Sequence, residues 1–198
     1  PGLIAMIQLF NGMQSSLSMV YDREMGSMKT MLVSPIPRWF LLCSKLFAGV
    51  FVSILQVYAF LLIASFWDII PPVSGYFTIL PALIISGLML GALGMFLSSA
   101  IKQLENFAGV MNFVIFPMFF ASSALYPLWK IEETSEWLYL VCFYNPFTYA
   151  VESIRFSLYS QINFEYSAGI IIFTLIFLFL SIMGYDPSRG NLQKKGGK

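Results

Sequence analysis

Five long stretches of this sequence contain no charged residue, and they constrain its fold more than any other feature. They are residues 3–20, 46–66, 79–100, 107–125 and 168–185. Each is 18 to 22 residues long, which matches the roughly 20 residues that a helix needs to cross about 30 Å of hydrocarbon. Because a charge at mid-bilayer costs on the order of 2.5–3.5 kcal/mol, these stretches predict an all-α, polytopic helical membrane protein with five spans.

The basic residues are distributed unevenly between the loops, and their distribution predicts the orientation of the chain. When residues 21–45, 101–106 and 186–198 are placed on one side of the membrane, nine of the eleven Lys and Arg residues lie there. Only Lys130 and Arg155 lie on the opposite side. Because loops rich in Lys and Arg stay on the cytoplasmic side, we predict a multi-pass protein of the plasma (inner) membrane with a cytoplasmic C-terminus.

This topology makes residues 1–198 a single transmembrane domain with three parts outside the spans. Residues 21–45 form a cytoplasmic loop, residues 126–166 an extracytoplasmic region, and residues 186–198 a cytoplasmic tail. The chain opens with Pro1 rather than Met, which predicts a further segment upstream.

The extracytoplasmic region has the aromatic density of a membrane interface. Its apolar middle is too short to cross the bilayer. It is interrupted by Asn145 and Pro146, a pair that favours the start of a helix. We therefore predict two short reentrant helices before the last span, at about residues 133–143 and 147–159, that enter the outer leaflet without crossing it.

Two patterns in the second of these helices predict its buried side and its polar side. Apolar residues recur at 4-3-4 spacing on one face: Phe147, Val151, Ile154 and Leu158. Glu152 and Arg155 are three residues apart and are expected to pair on the other side.

Polar side chains inside the apolar stretches are candidates for contact with another helix or with a transported molecule. The first stretch carries such residues at 3-4-3 spacing, on one helical face: Gln8, Asn11, Ser15 and Ser18. Gln56 and Asn112 are the conspicuous polar residues of the second and fourth stretches. Both interpretations stay open for these side chains.

Small residues recur along the third stretch and predict that another helix packs closely against it. They lie at 4-3-4 spacing: Gly87, Gly91, Gly94 and Ser98. The pattern leaves open whether that helix belongs to this chain or to a second copy.

The sequence lacks the motifs of intrinsic catalysis. It contains no phosphate-binding loop of the form GxxxxGK[ST], no His, and no HExxH or GxSxG motif. We therefore expect no catalytic, metal-binding or cofactor-binding residue in this chain. ATP and its Mg ion, if used, would be bound by another polypeptide, and the charged cytoplasmic loop is the natural surface to receive it.

Two motifs carry a resemblance to a known family. Residues 24–35 read EMGSMKTMLVSP, followed ten residues later by Lys45, and look like the family's ExG[TS]…[LM]Lx[ST]P…K pattern after the second span. Residues 145–155 read NPFTYAVESIR and are similar to its NP[LF]T[YH]…R signature before the last span. With both motifs correctly placed among the spans, the chain resembles the permease subunits of ABC type-2 exporters, which include drug, polysaccharide and lipo-oligosaccharide export permeases.

The resemblance implies a half-transporter with six spans, the first of them upstream of Pro1. The expected partners are a cytoplasmic ABC ATPase subunit, which would bind ATP and Mg, a second permease copy and membrane lipid, and no nucleic acid is expected. In this family the loop after the second span is a coupling helix seated in a cleft of the ATPase. Carried onto this chain, the coupling residues are Glu24, Gly26, Met28, Met31, Leu32 and Pro35. The outer reentrant motif, which would shape the outer end of the path, comprises Asn145, Pro146, Tyr149, Glu152 and Arg155.

Two other classes of function are alternatives to export. One is a membrane assembly or signalling subunit that binds a cytoplasmic partner and transports nothing. The other is a membrane enzyme that acts on lipids through residues 132–155. The lack of clustered catalytic groups argues against this second alternative. Uncharged, aromatic and Met-rich spans suit drugs, lipids or other amphiphiles as cargo, but they suit lipid contact equally, so the substrate stays open.

Overall fold

The computed structural model describes residues 1–25, 38–67, 72–101 and 103–184, and within them the chain is helical with short connections. The described helices are α1 (Gly2–Glu24), α2 (Arg38–Ser65), α3 (Val73–Ala100), α4 (Leu104–Phe120), α5 (Leu128–Thr134), α6 (Glu136–Phe143), α7 (Pro146–Leu158) and α8 (Phe164–Gly184). Among them α1, α2, α3 and α8 are long and apolar enough to cross a membrane, and α4 is a shorter apolar helix of 17 residues. The predicted class, an all-α polytopic membrane protein, is confirmed.

Helix α3 is the centre of the bundle. In the most apolar 18-residue segment of α3, 67% of the residues are buried, against 28% in the corresponding segment of α2 and 11% in that of α8. It packs against α1, α2, α7 and α8. These helices therefore surround α3, and α8 exposes most of its surface on the outside of the bundle.

The small residues of α3 receive α1 and α2 of the same chain, which answers the question that the sequence left open. On the side of α2, a Cβ atom added to Gly91 would lie 2.5 Å from Cδ1 of Leu46. A Cβ atom added to Gly12 of α1 would lie 2.9 Å from the backbone nitrogen of Gly91 and 2.9 Å from the carbonyl carbon of Leu90. A Cβ added to Gly94 would lie 2.7 Å from the carbonyl oxygen of Gly12. The two backbones therefore approach closely, as small residues allow in membrane helices.

We expect Gly12→Ala to destabilise the bundle by about 1–3 kcal/mol, because the new methyl group would meet backbone atoms that cannot rotate away. Thermal unfolding of the purified protein in detergent measures the effect. The matched control is Gly109→Ala on α4, where an added Cβ meets nothing within 4 Å. Equal stability of the two variants would contradict the close approach of α1 and α3.

Several helices are longer than the predicted stretches, because charge-free sequence marks only the part that fits in hydrocarbon. Helix α2 begins eight residues before the predicted span. The Pro-Pro, Gly and Ser of residues 71–78 are typical of a turn, but α3 already begins at Val73. The Gly and Ser residues there are held in the helix by tertiary contacts, since Thr78 Oγ1 donates to the carbonyl oxygen of Ser157 at 2.7 Å and Ser160 Oγ donates to Ser74 Oγ at 2.7 Å.

The outer region also departs from the predicted pattern. Three short helices are present where we predicted two, because the chain breaks at Ser135, whose backbone is extended, and a helix that we missed follows Pro127. Helix α4 ends at Phe120, three residues after Pro117, and not at residue 125. The predicted helix at 147–159 is confirmed as α7, and its four apolar face residues are all buried: Phe147, Val151, Ile154 and Leu158.

Candidate functional site

The predicted site residues fall into three groups, of which the first lies at the end of the bundle where α1 ends and α2 begins. The described helices approach the predicted coupling segment from both sides. Glu24, the last residue of α1, accepts a hydrogen bond at 3.3 Å from the backbone N–H of Leu104, the first residue of α4. The Lys45 ammonium of α2 forms an ion pair with the Asp22 carboxylate of α1. These two contacts join α1 to α4 and α1 to α2.

The remaining coupling residues cannot be placed. Gly26, Met28, Met31, Leu32 and Pro35 lie outside the described residues, as do the predicted helix that contains them and the tail at 186–198. Their role stays a prediction.

The second group is the polar face of α1, and its members have different partners. Gln8 is buried between α1 and α3: its Nε2 donates to the carbonyl oxygen of Leu83 at 2.8 Å, and its Oε1 accepts from Ser86 Oγ at 2.5 Å. The Asn11 amide donates to the carbonyl oxygen of Ile7 at 2.9 Å and to Gln56 Oε1 on α2. Gln8, Asn11 and Gln56 thus all make interhelical hydrogen bonds.

Asn11 and Gln56 also line an open groove between α1 and α2, which we call the α1–α2 groove. It consists of two adjoining hollows of about 410 and 390 Å³ that share Asn11, Gln14 and Gln56 as lining residues. Ser15 lines the first hollow, towards Lys45. These volumes fall in the range of small-molecule pockets, so the groove is a candidate binding surface.

Asn112 stands apart from this groove. Its side chain is exposed on α4, and within the described part of the chain it makes no hydrogen bond. Its predicted partner, helix or ligand, stays a prediction.

The third group is the outer motif, in which Asn145 binds two helices at once. Its Oδ1 accepts the backbone N–H of Phe147 at 3.0 Å and so caps the start of α7, as predicted. Its Nδ2 donates to the carbonyl oxygens of Met118 at 2.8 Å and Ala121 at 2.6 Å, at the end of α4. The last carbonyls of a helix lack partners in their own helix, and Asn145 supplies a partner to two of them.

Arg155, in the last turn of α7, adds a further contact with the segment that follows α4. Its guanidinium donates to Glu152 Oε1 at 2.7 Å, which confirms the predicted pair, and to the carbonyl oxygen of Ser123 at 2.7 Å. Glu152 is 4% exposed, so the carboxylate depends on this partner for its charge to be compensated. We call the contacts of Asn145 and Arg155 with Met118, Ala121 and Ser123 the α4–α7 clamp.

Tyr149 attaches α7 to α8 by packing. A Cβ added to Gly169 of α8 would lie 2.5 Å from the Tyr149 ring, so the ring rests on the glycine backbone. The Tyr149 ring also contacts Tyr166 and Phe173, with centroids 5.9 and 5.5 Å away. Burial, followed by the nearby Glu165 carboxylate, raises the pKa of the Tyr149 phenol.

Sequence reasoning missed several residues that complete these groups. Ser86 binds Gln8, and it lies one residue before the predicted small-residue stripe. Met118, Ala121 and Ser123 take part through their backbone carbonyl groups, which no pattern of side chains in the sequence can indicate. A signal existed for Asp22 and Lys45, since opposite charges border the two ends of one loop.

The bundle, which has four helices long and apolar enough to cross a membrane among the described residues, defines an all-α polytopic membrane protein. The family to which it belongs follows from its sequence: the model of the family described as ABC-2 type transporter matches residues 1–159. The chain belongs to the ABC-2 type transporter family, in agreement with the resemblance carried by the two motifs.

Individual relatives agree with this membership. The chain is 28% identical over 184 residues to the transport permease ycf38 of Cyanophora paradoxa, covering 92% of this chain and 61% of that protein. It is 30% identical over 173 residues to ycf38 of Porphyra purpurea, covering 86% and 58%. It is 31% identical over 153 residues to the multidrug ABC transporter permease YbhR of Escherichia coli K12, covering 74% and 39%. The chain thus spans about three fifths of the ycf38 permeases, and no solved structure matches it.

Proposed function

We propose that this chain forms the membrane path of an ABC exporter, as its permease subunit, and that it works with a separate ATPase. The observation that carries the proposal is the family match over residues 1–159, which includes α1 to α7. In this role the chain is not an enzyme, and ATP and Mg bind to the partner. Two permease copies and two ATPase subunits would form the transporter.

Coupling to the ATPase would occur at the loop that joins α1 to α2. The contacts of Glu24 with α4 and of Asp22 with Lys45 support this assignment, because they connect the ends of the loop to three helices. A displacement of the loop would therefore be transmitted to α1, α2 and α4 together. ATP-driven closure of the partner would favour one of two packings of these helices.

The α4–α7 clamp would hold the outer end of the path. Transport requires the outer end to open, and α4 is tied there to α7 through hydrogen bonds to carbonyl groups. Placement of this end outside the plasma membrane follows from the positive-inside rule, and the C-terminus would be cytoplasmic.

The test is co-expression of the full-length protein with a candidate ATPase encoded in a neighbouring reading frame. We expect the two to co-purify, and we expect an amphiphilic compound to stimulate ATP hydrolysis by the complex. Co-purification without any stimulated hydrolysis across a broad panel of compounds would favour the non-transporting assembly subunit instead.

We expect Glu24→Ala to lower the stimulated ATP hydrolysis of this complex by about two- to tenfold, the equivalent of one lost hydrogen bond. The reason is that the start of α4 would lose its hydrogen bond to the last residue of α1. The control is Glu133→Ala, which removes an exposed carboxylate at the opposite end of the bundle. Normal coupling in Glu24→Ala, at normal expression, would contradict the assigned role.

A further inference from the structure

The α1–α2 groove presents polar groups where a membrane helix normally meets lipid. Gln14 and Ser18 are exposed on α1, within the candidate span that runs from Gly2 to Asp22. No described residue forms a hydrogen bond with the Gln14 amide. A polar group left against hydrocarbon is costly, so lipid acyl chains alone are a poor occupant of this groove.

The polarity of the groove changes along its length. The hollow closer to the start of α2 is lined by Ser15, Ser18 and Lys45, together with the amide side chains that both hollows share. The other hollow is lined by large apolar side chains, among them Leu3, Phe10 and Phe60. One end therefore suits a polar group, and the other suits hydrocarbon.

Charge is also present at the polar end only. Lys45 lines the groove, whereas Asp22, its ion-pair partner, does not. An ammonium group has three N–H donors, and among the described residues Lys45 donates only to Asp22, which leaves it further donors for an anion in the groove. The polar end is thus complementary to an acidic group that also carries hydroxyls.

The groove is longer than the hydrocarbon of one leaflet. From Ser18 to Leu3 on α1 the helix rises by about 22 Å at 1.5 Å per residue, whereas one leaflet contributes about 15 Å of hydrocarbon. A head group at Ser18 and Lys45 therefore leaves room in the groove for an acyl tail that passes Phe10 and ends before Leu3. A second transmembrane helix fits less well, because Phe10 and Phe60 would hold its backbone away from the amides.

From these observations we infer that the α1–α2 groove binds an amphiphile with an acidic, hydroxyl-bearing head group at Lys45 and an acyl tail along Phe10 and Phe60. The inference rests on the proposed placement of the helices in the membrane. It does not require ATP-driven transport, so binding can be measured on the permease alone and judged separately from the proposed export function.

The experiment is native mass spectrometry of the purified full-length protein in detergent, titrated with phosphatidylglycerol or with phosphatidylcholine of the same acyl chains. We expect roughly tenfold tighter retention of phosphatidylglycerol, the equivalent of one charge-assisted hydrogen bond. Lys45→Gln should abolish this preference. Asp22→Asn is the matched control, because it breaks the same ion pair but keeps the cation, and it should retain the preference.

A second pair of variants tests the groove itself. Ala48 is an exposed lining residue, and Ala48→Phe should fill the groove and lower the retention of both lipids several-fold. Ala108→Phe, at an exposed position of α4 that does not line the groove, should change neither. Equal loss of preference in Lys45→Gln and Asp22→Asn would overturn the head-group site. Unchanged lipid retention with a changed oligomeric state in Ala48→Phe would instead show that another helix occupies the groove.

Discussion

Asn145→Asp is expected to lower the apparent melting temperature of the detergent-solubilised protein by roughly 4–8 °C. Asn and Asp cap helices about equally well, so a pure capping role predicts no change. In the α4–α7 clamp, however, the Asn145 amide also donates to the carbonyl oxygens of Met118 and Ala121. Aspartate would lose both hydrogen bonds, worth about 1 kcal/mol each, and 1 kcal/mol corresponds to about 2–4 °C in a chain of this size.

Asn163→Asp is the matched control for this substitution. Asn163 Oδ1 accepts the backbone N–H of Glu165 at 3.0 Å at the start of α8, and within the described residues its amide makes no hydrogen bond to another helix. We expect this variant to have the same apparent melting temperature as the unmodified protein. If both aspartate variants are equally stable, Asn145 caps α7 and does not hold α4.

Arg155→Met is expected to have a larger effect, about 3 kcal/mol or roughly 6–12 °C. The substitution keeps an unbranched apolar stem but removes the only described ion-pair partner of the buried Glu152 carboxylate. It also removes the donor to the Ser123 carbonyl oxygen. Arg155 is partly exposed, so the expected loss lies at the low end of that for a buried ion pair.

The double variant Glu152→Gln with Arg155→Met separates the two causes. It leaves no unpaired charge, so most of the lost stability should return, while the cost of the missing bond to Ser123 should remain. A double variant as unstable as Arg155→Met would show that the ion pair contributes little. Retention of the stimulated ATP hydrolysis in a fully folded Arg155→Met protein would also argue against a role of the clamp at the outer end of the path.

The sequence could predict the parts of this fold that depend on composition and on local pattern. The charge-free stretches indicated the spans, and 4-3-4 spacing identified the buried face of α7 through Phe147, Val151 and Ile154. The cap at Asn145 and the Glu152–Arg155 pair also follow from neighbours in the sequence. Each of these features is determined within a few residues.

The features that were missed depend on contacts between distant residues. Helix α4 ends at Phe120 where α7 binds its last carbonyls, and a backbone carbonyl has no signature in the sequence. The first turns of α3 look like a turn because of Gly75 and Ser74, and contacts with Ser157 and Ser160 hold them in the helix. The alternatives for Gln8 could be decided only by its bonds to Leu83 and Ser86 on α3.

The exposure of α8 has a consequence for how the bundle is assembled during biosynthesis. A helix whose backbone hydrogen bonds are internal and whose side chains are mostly in contact with lipid is stable in the bilayer before it meets any neighbour. Helix α8 follows the other described helices in the chain and touches the bundle chiefly along α3 and α7. It can therefore be inserted last, as an independent unit, and then dock with Gly169 under the Tyr149 ring. The central helix α3 has no such independence, because its glycine face is complete only when α1 and α2 are already in place.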